Sequence, residues 1–362
     1  NFHALNLLQE GYKGKIDCVY IDPPYNSPQS VIMYKNNFKH SSWLALMESR
    51  LNISKQLMTE NGVYNIAIDD FELINLCSFL DGHFGGYDRN IVVVNHHPQG
   101  TPRNNISRTH EYSVILTPEG KNVLKGKVSD EIEYRPLMRS GSAENNYRYG
   151  RKNSFYAILV DESNSTVVGW EAPPELDEDY PLENTEQGYK RIYPIGGDGS
   201  ERVWRISANS KLLEKGNINE YVECRNNNTL YQIVTNKVTP INSNWLESRY
   251  NAGVNGTNVI ADIMGDASFS YPKSVYTVYD HLISGTEKDS IVLDFFAGSG
   301  TTAHAVINLN REDGGRRKYI LVEMGEYFDT VTKPRIQKVV YSKDWKDGKP
   351  VSREGSSHAF KY

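Results

Sequence analysis

The sequence predicts an α/β protein with a doubly wound parallel sheet that is split by an inserted, mostly β segment. Short apolar runs alternate with longer stretches whose apolar residues recur at helical spacing, which is typical of strand–helix–strand units. This alternation stops near residue 118 and resumes near residue 263, so a separate segment interrupts the sheet. Two predicted strands run directly into a carboxylate and a rigid or glycine-rich turn, as strands do at the ligand-binding edge of such a sheet.

The first α/β segment, residues 1–118, alternates predicted helices with predicted strands. The helices are expected at residues 1–9, 41–58 and 71–85, and the strands at 16–21, 62–69, 90–95 and 111–117. The pattern at residues 1–9 is amphipathic but has neither a visible cap nor a preceding strand. We therefore expect a further segment before residue 1 in the full protein.

The middle segment, residues 119–262, is polar, aromatic and rich in Gly, Pro and Asn clusters. Short strands between such clusters predict a mostly β, irregular domain. The second α/β segment, residues 263–335, contains "KDSIVLDFFAGSGTTAHAVINL" at 288–309 and "RKYILVEMGEY" at 317–327. Residues 336–362 form a basic and polar C-terminal extension without a predicted fold.

The composition narrows the class of protein. The 362 residues include three widely spaced cysteines, which argues for a reducing cytoplasm and against a disulfide framework or a zinc site. No apolar run is long enough to predict a membrane span, and no other metal site is expected. The net charge of -5 means that any binding of nucleic acid must use a local basic face.

The first candidate site is the tetrapeptide Asp22-Pro23-Pro24-Tyr25, which follows the predicted strand at 16–21. An exocyclic amino group on a base is a poor nucleophile because its lone pair is delocalised into the ring. Asp22 and a backbone carbonyl held rigidly by the prolines would accept its two N–H hydrogens and help the nitrogen to become pyramidal. Tyr25 would stack on a base that has been flipped out of the duplex.

The second candidate site is the glycine-rich turn in "LDFFAGSGTT". Asp294 closes a strand, Gly298 and Gly300 leave room for a ligand near the backbone, and Thr301 begins a helix. Glu323 ends the next predicted strand, where a carboxylate commonly binds ribose hydroxyls. The turn has neither the third glycine of a dinucleotide fingerprint nor the Gly-Lys-Ser/Thr of a P-loop. A nucleoside ligand without a polyphosphate therefore fits better, and S-adenosylmethionine is such a ligand.

Both candidate sites lie at carboxyl ends of predicted parallel strands. In a doubly wound sheet, ligands bind at that edge, where the strand order reverses. If the two strands are neighbours, the adenosyl ligand and the Asp-Pro-Pro-Tyr loop face each other. The pair of sites then predicts methyl transfer to an amino group of a base.

These residues resemble the DNA methyltransferases that modify adenine N6 or cytosine N4. The tetrapeptide precedes the Phe-x-Gly-x-Gly motif, which is the motif order of the β group of that family. The chain is most similar to the modification (Mod) subunits of type III restriction–modification systems. The matching stretches cover nearly all of the two α/β segments: "YIDPPYN", "HSSWLALMESRL", "GVYNIAIDD", "SRTHEYSVIL", "LDFFAGSGTTAHAV" and "PRIQKVVYSKDWKDGKP".

The resemblance implies an S-adenosylmethionine-dependent methyltransferase fold, with the middle segment as its target-recognition domain. It assigns catalysis to the tetrapeptide and S-adenosylmethionine binding to a second set of residues. That second set is Asp294, Phe295, Phe296, Gly298, Gly300, Thr301 and Glu323, with Lys273 of "YPKS" near the methionine carboxylate. Ser274 stands where the family usually has Pro. Double-stranded DNA is the implied substrate, and a second copy of the chain and a helicase–nuclease restriction subunit are the implied partners.

The sequence therefore predicts a site-specific DNA adenine-N6 methyltransferase. Asp22 in the tetrapeptide favours adenine, since Ser at this position is more typical of cytosine-N4 enzymes. Two alternatives stay open: a cytosine-N4 methyltransferase, and a DNA-recognition subunit that has the fold without turnover. The intact residues of both motifs argue against the second alternative.

Overall fold

The computed structural model describes residues 1–27, 40–102, 105–129, 131–211, 213, 218–225, 228–267, 269–356 and 361. Contacts divide the chain into two compact units. Residues 1–126 and 240–362 form the first, called the core unit below, and residues 127–239 form the second, called the inserted unit. The inserted unit is narrower than the middle segment that the sequence indicates.

The core unit is built on a mixed seven-stranded sheet. Its strands are β1 (Ile16–Ile21), β2 (Met58–Ile68), β3 (Tyr87–Val94), β4 (Glu111–Pro118), β13 (Asn244–Trp245), β14 (Ile291–Asp294) and β15 (Lys318–Leu321). Their spatial order is β13-β3-β4-β2-β1-β14-β15, so β1 lies inside the sheet between β2 and β14. The predicted α/β class is confirmed.

One strand departs from the predicted parallel arrangement. β4 pairs antiparallel with both β2 and β3, whereas the other pairs in the sheet are parallel. A parallel connection needs a crossover of a dozen or more residues, usually through a helix. Among the described residues between β3 and β4, none is helical, so the chain returns antiparallel. The amino end of β4 therefore lies at the edge where the other strands have their carboxyl ends.

The strand order reverses between β1 and β14. These strands are parallel neighbours, with Cys18 opposite Val292 and Val19 opposite Leu293. From this point the chain continues to β2 on one side and to β15 on the other. The two candidate turns thus follow adjacent strands at the reversal point, as the sequence analysis required.

Helices cover both faces of the sheet. They are α1 (Phe2–Tyr12), α2 (His40–Lys55), α3 (Leu73–His83), α4 (Asn258–Met264), α5 (Val275–Gly285), α6 (Thr301–Asp313) and α7 (Lys333–Tyr341). The first three pack with Val19 and Ile21 of β1 through buried residues such as Leu5, Met47 and Leu76. The helices α5 and α6 pack with alternate residues of the same strand, including Cys18. A strand with apolar residues on both faces is typical of a doubly wound sheet.

The inserted unit has small antiparallel sheets. Its strands are β5 (Lys127–Ser129), β6 (Glu133–Pro136), β7 (Ile158–Asp161), β8 (Thr166–Trp170), β9 (Lys190–Ile192), β10 (Val222–Arg225), β11 (Thr229–Val234) and β12 (Lys237–Thr239). They form the arrangements β10-β11-β6, β8-β7-β9 and β12-β5. Tyr156, Trp204 and Leu230 belong to its buried core, so this unit has a core of its own.

The remaining strands, β16 (Trp345–Lys346) and β17 (Lys349–Pro350), form a hairpin after α7. No helix in the described part of the chain is long and apolar enough to cross a membrane.

Candidate active site

The Asp-Pro-Pro-Tyr loop is fixed from both sides. β1 delivers it from the buried centre of the sheet, and the indole Nε1 of Trp43 in α2 donates to the Pro24 carbonyl at 2.6 Å. Asn26 then turns the chain in a left-handed conformation with φ 54°, and its side chain donates to Glu72 at 2.6 Å. Because Trp43 occupies the Pro24 carbonyl, the Pro23 carbonyl is the better candidate for accepting a hydrogen bond from a ligand.

Four polar side chains meet beside this loop. The Tyr25 hydroxyl donates to Glu111 Oε2 at 2.9 Å. Lys273 Nζ contacts both the Tyr25 hydroxyl and Glu111 Oε2, and lies 3.3 Å from Asp22 Oδ1. The Glu111 and Lys273 side chains are only 4% and 11% exposed, whereas 29% of the Asp22 side chain remains accessible. One ammonium is thus shared between two carboxylates, of which Asp22 is the more open.

The ionisation of this cluster follows from burial and mutual charge. Burial raises the pKa of Asp22, and the Lys273 charge only partly opposes this effect. Burial also opposes ionisation of Glu111, but the charges of Lys273 and His96, together with hydrogen bonds from Lys273 and Tyr25, lower the pKa of Glu111 below its ordinary value. Burial disfavours the ammonium of Lys273, yet Asp22 and Glu111 raise its pKa. Glu111 and Lys273 therefore form a charged pair, and Asp22 is the carboxylate that binds protons more readily than usual.

The glycine-rich turn at the end of β14 is organised by carboxylates that accept hydrogen bonds. Asp294 is buried, and its oxygens accept from the Phe296 backbone N–H at 3.0 Å and the Thr302 hydroxyl at 2.5 Å. Glu323 accepts from the backbone N–H groups of Gly298, Met324 and Gly325 at 2.8, 2.8 and 2.9 Å. A carboxylate offers about four acceptor sites, so Glu323 retains capacity for a ligand hydroxyl.

The two glycines of the turn have left-handed backbones, with φ 52° at Gly298 and 81° at Gly300. A Cβ at Gly300 would meet Thr332 Cγ2 at 3.3 Å, and one at Gly298 would meet the Phe269 ring at 3.6 Å. The side-chain-free surface at Gly300 therefore accommodates the segment that leads into α7. The glycines meet a conformational and packing requirement besides any approach of a ligand.

A buried arginine stabilises the glycine-rich turn through hydrogen bonds. Arg335 of α7 is 0% exposed, and its Nη1 donates to the Ser299 carbonyl, the Ser299 hydroxyl and the Thr301 hydroxyl at 3.2, 2.8 and 2.9 Å. Its Nη2 lies 3.2 Å from His304 Nδ1. Burial lowers the pKa of Arg335 to about 9. This guanidinium connects α7 to the first turn of α6.

The predicted site residues fall into three groups in the structure. Asp22, Tyr25 and Lys273 lie together at the end of β1. Glu323 and the Gly298 turn contact each other at the ends of β15 and β14. Phe295 and Thr301 are buried, and the hydroxyl of Thr301 bonds to Arg335. Lys273, expected beside a ligand carboxylate, contacts the tetrapeptide, and its contact with a ligand stays a prediction.

Glu111, Trp43 and Arg335 were not among the predicted site residues. The stretches that contain them, "SRTHEYSVIL", "HSSWLALMESRL" and "PRIQKVVYSKDWKDGKP", were part of the resemblance. Glu111 comes to the site only because β4 is antiparallel. The available signal for Glu111 was its position at the start of an apolar strand. A glutamate that is buried there needs a charged or hydrogen-bonding partner.

Comparison with known proteins gives a match to the family model described as DNA methylase over residues 16–333. The chain is 29% identical over 347 residues to the type II methyltransferase M.KpnI of Klebsiella pneumoniae, covering 89% of this chain and 78% of that protein. It is 26% identical over 408 residues to the type III restriction-modification enzyme EcoPI Mod subunit of Escherichia phage P1, covering 94% and 61%. The predicted resemblance is confirmed.

The chain spans about half of another relative, the StyLTI Mod subunit of Salmonella typhimurium, with 28% identity over 356 residues and coverage of 89% of this chain and 51% of that protein. Among solved structures, the M1.HpyAVI–SAM complex aligns over 92% of this chain and 95% of its own, with 14% identity and a TM-score of 0.41.

Proposed function

The chain belongs to the DNA methylase family, and on that premise we propose that it transfers a methyl group from S-adenosylmethionine to adenine N6 in double-stranded DNA. The observation that carries the proposal is the partly open Asp22 carboxylate beside the Lys273–Glu111 pair, on a strand adjacent to the glycine-rich turn. A carboxylate at this position suits an amino group as substrate because it accepts the N–H hydrogens.

The residues at the ends of β14 and β15 fit an adenosyl ligand. Glu323 would accept a ribose hydroxyl with its remaining capacity, while the backbone N–H groups hold its carboxylate in place. Phe296 is half-buried beside the turn and offers an aromatic surface. Asp294, Phe295 and Thr301 would act by shaping the turn, since they are buried and their contacts lie within it. S-adenosylmethionine supplies a methyl group on an electrophilic sulfonium.

The tetrapeptide would orient the amino group. Asp22 accepts one N–H hydrogen and the Pro23 carbonyl accepts the other, which helps the nitrogen lone pair to leave the ring system. The raised pKa of Asp22 favours uptake of the proton that this nitrogen loses on methylation. Tyr25 would contact the flipped base, with its ring held by the hydroxyl bond to Glu111.

Methyl transfer from tritiated S-adenosylmethionine to DNA, followed by nucleoside analysis, tests this proposal. N6-methyl-2′-deoxyadenosine is the expected product. N4-methylcytosine as the labelled product would overturn the adenine assignment and favour the alternative specificity. No label in DNA of varied sequence, with normal S-adenosylmethionine binding, would favour a recognition subunit without turnover.

The inserted unit is proposed as the target-recognition domain. Most of the described basic side chains of this unit form ion pairs with carboxylates. The described basic side chains of this unit without such a pair are Arg139, Arg151, Arg205 and Lys211. The Arg139 Nε is buried without a hydrogen-bond partner among the described residues. Arg139 and Arg205 follow the two residues of the antiparallel bridge between Met138 and Trp204. Burial, and then the charges of Arg151 and Arg205, lower the pKa of Arg139.

Three uncompensated arginines in one region suit DNA phosphates. Each phosphate contact contributes about 0.9 to the slope of log affinity against log salt concentration. We expect the triple variant R139Q/R151Q/R205Q to reduce that slope by about 2 to 3 in DNA-binding titrations. The matched control R135Q/R191Q/R225Q removes ion-paired arginines of the same unit and should change the slope much less. Equal slopes for both triple variants would contradict this assignment.

The relatives named as Mod subunits suggest partners. We propose that the full protein is a homodimer that modifies sites for a helicase–nuclease restriction subunit. Light scattering of the purified protein tests the dimer, and a monomer at micromolar concentration would contradict it.

A further inference from the structure

We propose that Glu111 is a positioning residue that holds the Lys273 ammonium away from Asp22, so that the Asp22 carboxylate stays available to the target amino group. This inference rests on the proposed function, and it concerns a residue outside the Asp-Pro-Pro-Tyr and glycine-rich motifs. Glu111 is not expected to contact the reacting atoms. It acts through Lys273 and Tyr25.

The contacts of Lys273 carry the inference. An ammonium has three N–H donors and no acceptor. Two of the neighbours of Lys273 Nζ are Glu111 Oε2 and the Tyr25 hydroxyl, both in direct contact, whereas Asp22 Oδ1 lies at 3.3 Å. The nearer carboxylate is thus Glu111, and Asp22 is the weaker partner.

Because Lys273 is buried, the competition between Glu111 and Asp22 for its ammonium matters for both carboxylates. A buried ammonium must be paired, because leaving it alone costs several kcal/mol. Lys273 is 11% exposed, so removal of the Glu111 charge would leave Asp22 as its remaining carboxylate partner. A full Lys273–Asp22 pair would make Asp22 a weaker acceptor for the target amine, because the ammonium would engage one of its oxygens and neutralise most of its charge. The same change would replace the charged acceptor of the Tyr25 hydroxyl by a neutral one and so weaken the hydrogen bond that holds the ring.

No second cation among the described neighbours replaces Lys273 in this arrangement. The titratable groups around the cluster are Tyr20, Tyr25, His96, His281 and Asp294. Burial raises the pKa of Tyr20 and lowers the pKa of His96, while that of His281 falls to about 4. Both histidines and the tyrosine are therefore neutral near pH 7, and one ammonium serves both carboxylates.

The position of Glu111 follows from the reversed strand. β4 begins at Glu111 and runs antiparallel to β2, so its first residue reaches the edge where Asp22 follows β1. Strand residues are held by the backbone ladder, which gives this carboxylate a more rigid base than a loop provides. The structure thus places a fixed counter-charge next to the one reactive loop.

The variant E111Q tests the inference in the intact chain. We expect kcat for DNA methylation to fall by about 10- to 100-fold, as for loss of a residue that orients a functional group, with S-adenosylmethionine affinity within about twofold. The acid limb of the kcat–pH profile should move to lower pH, since Asp22 loses the Glu111 charge that raises its pKa and gains Lys273. In K273M the same limb should move to higher pH, because the charge that lowers the pKa of Asp22 is gone.

Two further variants separate this role from a structural one. E111D keeps the charge and should restore most of the pH profile, even if its stability is reduced. E119Q removes an exposed glutamate just beyond the other end of β4 and should leave the profile unchanged. An unchanged acid limb in E111Q, or shifts of the same sign in E111Q and K273M, would overturn the inference.

A measurement without turnover keeps this test distinct from that of the proposed function. The carboxyl ¹³C signal of Asp22, assigned with D22N, reports its pKa in the protein without ligands. The expected order of that pKa is E111Q below wild type and wild type below K273M. If wild type methylates no DNA but this order holds, the proposed function fails and the arrangement of charges stands. If wild type methylates DNA and the order fails, the Glu111 inference alone is wrong.

Discussion

The two turns at the reversal point of the sheet use carboxylates in opposite ways. At the end of β1, Asp22 and Glu111 share one ammonium, and Asp22 stays partly accessible. At the ends of β14 and β15, Asp294 and Glu323 accept hydrogen bonds from backbone N–H groups and a hydroxyl, and no lysine or arginine of the described residues donates to them. In the first turn an accessible carboxylate remains available to a ligand. In the second turn the carboxylates fix the conformation of the backbone.

This difference has a physical basis. Hydrogen bonds from several N–H groups fix a carboxylate and a loop together, and they are strong because one partner is charged. An ion pair with a shared lysine is easier to rearrange, so its balance depends on each neighbouring charge. We therefore expect substitutions in the first turn to alter turnover, and substitutions in the second to alter ligand affinity or stability.

The largest effect is expected from Asp22→Ala, which removes the open carboxylate. Turnover in DNA methylation should fall about 1,000-fold or more, since both orientation of the amine and proton uptake are lost. S-adenosylmethionine affinity, measured by calorimetry, should change less than about threefold. Asp289→Ala, an exposed residue before β14 at the opposite edge, is the control. If Asp22→Ala turned over at the wild-type rate, the proposed catalytic role of the tetrapeptide would be wrong.

Asp294 should make the core unit less stable as the pH rises. Burial raises its pKa to about 7 in the folded protein, far above the ordinary value of 3.8, so the folded state binds this proton more tightly. The contribution of protonated Asp294 to the free energy of unfolding is fully present below about pH 4 and is lost as the pH rises to about 7 and above. Between pH 5 and pH 8 the free energy of unfolding of wild type relative to Asp294→Asn should fall by about 2 to 3 kcal/mol. Urea unfolding at the two pH values measures this difference, and a constant difference would contradict it.

Glu323→Gln should weaken S-adenosylmethionine binding about 10- to 100-fold while saturated turnover stays close to wild type. An amide keeps only one acceptor oxygen, so at least one bond from Gly298 or Gly325 is lost. Glu326→Gln, an exposed glutamate three residues later, should bind normally. A large loss of turnover at saturating S-adenosylmethionine would contradict the expectation that the second turn affects ligand affinity and not turnover.

The smallest effect is expected from Gly300→Ala, compared with Gly314→Ala at the other end of α6. Both glycines are left-handed, with φ 81° and 68°, so each alanine should lower the free energy of unfolding by about 1 to 2 kcal/mol. A Cβ at Gly314 meets nothing within 4 Å, whereas one at Gly300 meets Thr332 at 3.3 Å. Only Gly300→Ala should also weaken S-adenosylmethionine binding, as measured by calorimetry. Equal S-adenosylmethionine affinities of the two variants would contradict the expectation that a Cβ at Gly300 disturbs the ligand-binding turn.

Much of the sheet was predictable from the sequence because each strand carries a local signal. The apolar run Ile16–Ile21 and the following Asp22 predict a buried strand that ends at a ligand edge, and the pairing of β1 with β14 agrees. The same holds for α1, α2 and α3, whose apolar spacing places them near the observed bounds. The match with the DNA methylase family follows the same stretches.

Some contacts were not predictable because they join residues that are distant in sequence. Lys273 and Glu111 are separated by 162 positions, and Arg335 and Thr301 by 34. Periodicity shows which face of an element is buried, but not which side chain from another element covers it. The contact of Lys273 with the tetrapeptide therefore follows from the tertiary structure and not from the local sequence.

The sequence by itself determined which chemical groups stand at the strand ends: an Asp with two prolines and a tyrosine, and a glycine turn with two carboxylates. The tertiary structure decided how those groups are charged and supported. It did so through the direction of β4, since strand direction depends on pairing across the sheet and not on local pattern. That reversal brings Glu111 to Lys273 and leaves Asp22 open, because a buried ammonium pairs first with its nearest carboxylate.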